Sequence, residues 1–256
     1  MNTNHPDSLT DFFEQTDPSE WSMQIINRTS PESVKQMVED LFGDLSNQVS
    51  ETTFDEADTD LVLLLRNGEV VGSSPLSTLR DTLLLVNSDY YRTGPADLGS
   101  LNAPDVILEL SDTVFTLHGY PDSNTEKLVL TLISRYIEQQ AWRHEAGSLR
   151  TSFQSLSLLY NERATREVYQ HLGQIPALTV DVYGVPDREP PELPGVTVNE
   201  TLDDEIKQHW FVVHHIENEG SAALLAKQTG PTEWQGFWTF DTDKIRTLDQ
   251  YIQWTF

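Results

Sequence analysis

The chain has no cysteine, which excludes disulfides, thiolate nucleophiles and thiolate zinc sites and leaves seven histidines as its only soft ligands. Lysine is almost as scarce. Five lysines (Lys35, Lys127, Lys207, Lys227 and Lys244) stand against eleven arginines. Long apolar runs are missing as well: the longest, Leu61 to Leu65, falls far short of the roughly 20 residues a membrane helix needs. No basic stretch followed by an apolar one occurs near Met1, so the sequence predicts a cytoplasmic protein with no membrane contact. There is no Gly-x-Ser-x-Gly elbow, His-Glu-x-x-His pair, Walker loop or dinucleotide fingerprint, and no motif indicates catalysis.

Acid is what the chain has in excess. Its 41 carboxylates against 16 cations give a net charge of −25, which opposes direct nucleic-acid or anionic-membrane binding by the bulk surface. Carboxylate excess with little lysine suits a cytoplasm at molar salt, where the Debye length is about 3 Å and self-repulsion is screened. We therefore expect a halophilic, archaeal-type protein in which most acids serve solvation. The imbalance peaks in residues 1–60, with 14 acids against Arg28 and Lys35. At 256 residues and 38% hydrophobic composition, one or two globular domains are expected.

The pattern of elements predicts an α+β chain. A short helix over 8–16, a strand over 21–27 and a helix after Ser30-Pro31 open it. The acid-rich stretch 51–60 reads as a solvated loop. Leu61 to Arg66, Asn67-Gly68 and the return from Glu69 give the strongest hairpin signal. Ser74-Pro75 reads as a helix start with Leu76, Leu79, Leu83 and Val86 on one face, and 105–110 and 113–117 as short strands. A capping box at Ser123 and Glu126 opens a long helix with Val129, Leu132, Ile133, Tyr136, Ile137 and Ala141 on one stripe. A second helix covers 161–172 and a strand 178–183, followed by a proline-rich loop over 186–194. Runs at 209–216, 222–227 and 234–240 read as an antiparallel meander packed on helices on one side, and Asp241 caps a final helix.

Three clusters invite a chemical reading. His209, His214 and His215 suggest a metal, but on one extended strand His209 and His215 lie about 20 Å apart and His214 faces the other way, so polar strand ends are the better reading. Arg143-His144-Glu145 followed by Leu149-Arg150-Thr151 faintly resembles a histidine-kinase phosphoacceptor box, without any ATP-binding segment downstream. Aromatics gather late in the chain. Alternation puts Trp234, Trp238 and Phe240 on one strand face and Phe237 on the other, with one set in the core and the other in core, pocket or interface.

The last 135 or so residues, about 122–256, resemble a DICT sensory domain. The resemblance is carried by Ile137-Glu138, Phe153-Gln154, Tyr160, Tyr169, Val182-Tyr183-Gly184, Trp210 to Val213, Leu224 to Ala226 and Trp238-Thr239-x-Asp241, with Gln139 where an acid is usual. It implies a signal-input module beside a smaller α/β accessory region over 1–121. The expected function is a non-enzymatic sensory or regulatory protein of signal transduction acting through a protein partner, with transcription, motility, cell form or light response as outputs. Its ligand-binding or interaction candidates are Glu138, Phe153, Gln154, Tyr160, Tyr169, Tyr183, Trp210, Trp238 and Asp241. The alternative is a small-molecule enzyme using Glu138 as a buried acid or base in the aromatic region, against which stands a structural pair with Arg135 one helical turn away.

Overall fold

A computed structural model of the chain describes residues 6–15, 20–41, 49–55, 57–86, 102–118, 128–161, 163–188, 192–217, 219–231 and 233–256. The predicted capping box at Ser123 and the expected domain boundary at 121/122 lie outside these residues, as does the side chain of Leu83.

The smaller of two sheets runs β2-β1-β3-β4, from β1 (Trp21–Ile26), β2 (Val49–Thr52), β3 (Leu61–Arg66) and β4 (Glu69–Pro75). Its hairpin forms as expected. Asn67 and Gly68 both take positive φ, 53° and 83°, the backbone a two-residue turn needs to match strand twist. Two readings are corrected here. Residues 51–52, expected in a loop, belong to β2, which pairs in parallel with β1; as an edge strand it leaves Ser50 and Glu51 in water, so its polar sequence hides it. A helix does start directly after Ser74-Pro75, at Leu76, but Pro75 is the last residue of edge strand β4, where a missing N–H is tolerated, and not the first of the helix; the Ser74 hydroxyl accepts from Val106 N at 3.3 Å. The remaining acidic loop is held by Asn27, whose side chain bonds Phe54 N and O, and by Asp60, which accepts from Thr29 and Ser30. Burial raises the Asp60 pKa, but those hydrogen bonds outweigh it and hold the carboxyl at about 2.

The larger sheet has the order β5-β11-β10-β9-β6-β7-β8. Its strands are β5 (Phe115–His118), β6 (Gly147–Ser155), β7 (Leu178–Val185), β8 (Val196–Glu200), β9 (His209–His215), β10 (Ala222–Gly230) and β11 (Glu233–Thr239). β9 to β11 form the expected antiparallel meander. β6, β7 and β8 extend it with two parallel pairs, so the fold is α+β with a mixed sheet. β6 lies in the interior between β7 and β9, yet its sequence, GSLRTSFQS, is too polar to announce a buried strand.

A short 3-10 turn (Leu9–Gln15) precedes α1 (Glu32–Leu41), α2 (Leu76–Val86), α3 (Asp105–Leu108), α4 (Leu128–His144), α5 (Leu156–Asn161), α6 (Arg163–Leu172), α7 (Asp204–Gln208) and α8 (Thr242–Thr255). α3 replaces an expected strand. A three-residue apolar run, Val106 to Leu108, has no period of its own, and here Pro104 at the N-cap and Asp105 in the first turn favour helix. The expected helix over 161–172 is α6, and the short helix α5 before it was not expected.

Helices cover both faces of the larger sheet, where one was expected. One core joins Trp21, Met23, Ile25, Val62 and Leu64 of the small sheet to α2, to Leu130, Ile133 and Ile137 of α4, and to Leu149, Val180, Val212, Leu224, Trp234 and Trp238 of the large sheet. The second core lies on the opposite face. There Leu9 and Phe12 meet Phe211, Val213, Leu225 and Phe237, under Ile245, Leu248 and Ile252 of α8. Helix α4 packs on α2, β6, β9 and β10. Its predicted stripe is buried, with Tyr136 half-buried, and so are Ser134, Arg135, Glu138 and Gln139 on its other faces. A helix enclosed on all sides needs partners for such groups.

Candidate functional site

Those partners come from α6 and β6. The Arg135 guanidinium pairs with Glu138 Oε2 at 2.6 Å and donates to Thr165 Oγ1 at 2.6 Å. The Tyr169 phenol oxygen lies 3.0 Å from Glu138 Oε1 and 2.8 Å from Thr151 Oγ1. A carboxylate only accepts, so the one phenol proton goes to Glu138 and the Thr151 hydroxyl donates to the phenol. Complete burial pushes the Tyr169 pKa well up, and the Glu138 charge adds to it. The phenol therefore stays a proton donor. Phe153, also on β6, meets the Tyr169 ring edge-on at 5.5 Å and 74°.

A second polar network occupies the other face of β6. Strand alternation sends Leu149, Thr151 and Phe153 toward α4 and α6, and Ser148, Arg150 and Ser152 the opposite way. Arg150 pairs with Asp181 of β7 and, through Nε at 3.0 Å, with Asp249 of α8. Asp249 also accepts from the Ser148 hydroxyl at 2.8 Å. Asp249 and Thr165 could not be singled out from sequence, and Arg150 and Thr151 stood out only in the phosphoacceptor likeness, because a lone polar residue in an acidic chain carries no signal of a buried network until its neighbours are known.

Three of the nine candidates, Glu138, Phe153 and Tyr169, come together in one place. The others are dispersed. Tyr160 is buried in the first core with no partner for its hydroxyl, whose pKa is raised by burial and by Glu200 and Asp187. Gln154 donates to Lys207 O at 2.8 Å. Tyr183 lies in the second core against Phe211 and Phe256, where burial and Asp181 hold its pKa at about 12. Trp210 meets Trp234 edge-on at 6.2 Å, and Trp238 packs on Phe115 at 4.9 Å. Asp241 is the N-cap of α8, accepting from Asp243 N and Lys244 N. Of the late aromatic set, Trp234 and Trp238 fill one core and Phe237 the other, while Phe240 is exposed and meets Tyr136 edge-on.

Among the described residues no three His, Asp or Glu side chains are grouped to hold a metal. The histidine-kinase likeness also fails on geometry, because Leu149-Arg150-Thr151 is buried β-strand and does not continue the helix that ends at His144.

Residues 105–229 match the family model described as DICT, sensory domain in diguanylate cyclases and two-component system. This segment is a DICT domain. It begins earlier than the resemblance indicated, at α3, and ends within β10; it holds both networks of β6 except Asp249. No curated protein and no solved structure matches the chain. No helix among the described residues is long and apolar enough to cross a membrane.

Proposed function

We propose that the chain is a non-enzymatic regulatory protein of a signalling pathway, in which the DICT domain receives the signal and a protein partner carries it onward. The observation that supports this reading best is the closure of the Arg135–Glu138–Tyr169–Thr151 network inside a sensory domain. At 3% exposure, with one oxygen on a guanidinium and the other on a phenol, the Glu138 carboxylate has no access to a substrate. What such a network does well is fix how α4, α6 and β6 sit together, since every donor and acceptor is matched in only one arrangement. A signal that alters that arrangement moves α4, and with it the core shared with the small sheet.

Cross-linking and affinity purification of the tagged full chain from native lysate at molar salt test the reading. We expect a signalling protein joined at reproducible surface residues of this chain. Recovery of a small molecule that the purified chain converts, with conversion lost in a folded Glu138→Gln variant, would overturn it.

A further inference from the structure

The end of α4 is pinned to β9 by a pair of stacked histidines. His214 is fully buried, its Nδ1 lies 3.1 Å from Ser148 O, and its Nε2 has no partner. A carbonyl only accepts, so Nδ1 carries the proton and Nε2 keeps a bare lone pair. The ring of His144, the last residue of α4, stacks on it with centroids 5.9 Å apart and planes at 24°. Gly220, at φ 116°, lies so close to the Nε2 edge of His144 that a Cβ there would overlap the imidazole. His144, Glu217, Glu219 and Thr242 line a shallow pocket on the surface.

We infer that the His144–His214 stack is a proton-sensitive joint, in which protonation of His214 releases the C-terminal turn of α4 from β9. A second proton on His214 would place an N–H at Nε2 in a buried site with no acceptor, and a positive ring against His144. The charged and titratable groups around it divide by sign. His144 on α4 and His215 on β9 oppose the proton; Asp249 on α8 favours it, but is already engaged by Arg150 and Ser148 on the opposite sheet face. Facing strand β10 offers Ala222, which has no charge to give. Glu217 and Glu219 border the exposed His144 on the side of solvent. Burial, helped by His144 and His215, outweighs the Ser148 hydrogen bond and Asp249 and lowers the His214 pKa from 6.5 to about 4. An opened joint restores the ordinary value, so opening is favoured about 30-fold more at pH 5 than at pH 8.

The test is hydrogen exchange of the full chain at molar salt, corrected for intrinsic rates, between pH 8 and pH 5. We expect opening of the amides of residues 141–145 and 148–149 to rise about 30-fold in the wild type and to stay flat in His214→Asn, whose amide keeps the donor to Ser148 but does not titrate. An equal rise in both proteins would overturn the inference. Should His214→Asn not fold, imidazole nitrogen shifts of the wild type decide it: a neutral Nδ1–H ring surviving below pH 5 in the closed state supports the joint, and a cationic His214 at pH 6.5 contradicts it.

Discussion

Glu138 and Arg135 occupy a place neither could occupy alone. Removing one member of a buried pair leaves an uncompensated charge, which typically costs about 3–5 kcal/mol. Glu138→Ala is accordingly expected to destabilise by about 3 kcal/mol or more, and Glu138→Gln, which keeps an acceptor for Arg135 and Tyr169, by less. Chemical denaturation at fixed molar salt measures both. Two histidines titrate against folding by a different route. His214 and His209 each place Nδ1 on a carbonyl, Ser148 O and Glu205 O, and burial lowers both pKa values. In the unfolded chain His214 takes a proton near pH 6.5, whereas the folded protein resists until about pH 4. Its contribution is thus fully present above pH 6.5 and fades as the pH falls toward 4, by an amount on the order of 3 kcal/mol. Denaturation midpoints of wild type and His214→Asn should therefore converge on acidification, and parallel curves would count against the buried neutral ring.

Among the elements, legibility followed the contrast between inside and outside. The β3/β4 hairpin, α4 and the β9–β11 meander were readable because apolar residues recur at a clear period or are broken by Asn-Gly. β6 was not, although it lies between β7 and β9, because Ser148, Arg150, Thr151 and Ser152 place polar groups on both of its faces. Its burial is stabilised by Asp181, Asp249 and Tyr169, which come from 18 to 101 residues away along the chain. The candidate site shares that limit: Glu138 and Arg135 are one turn apart and readable as a pair, while Thr151, Thr165 and Tyr169 join them only through the tertiary fold. The N-cap of α8 is the local counterexample, readable from Asp241 alone. Asp241→Ala should cost about 1 kcal/mol and lower the melting temperature by a few degrees, with calorimetry as the check.

For the whole molecule, charge and core make opposite demands. A net charge of −25 strains any compact state unless salt screens it. Lowering salt from molar to about 0.1 M lengthens the Debye length from roughly 3 to 10 Å, so the unfolding midpoint is expected to fall steeply, and a midpoint flat across that range would assign the acidity to a cationic partner instead. Within residues 1–60 Arg28 and Lys35 pair with Glu32, Glu39 and Glu51, which leaves little countercharge for the rest of the 14 acids, and amides of the small sheet should exchange before those of β9 to β11 as salt is withdrawn. The shared core sets the opposite tendency, toward unfolding as one unit, because α4 belongs at once to the DICT domain and to the packing of β1 and β3. Native-state hydrogen exchange on Glu138→Ala at molar salt tests that linkage most directly. Faster exchange in β1 and β3 together with β6 and β9 is the expected result; acceleration confined to the large sheet, with β1 and β3 unchanged, would contradict a signal path through α4.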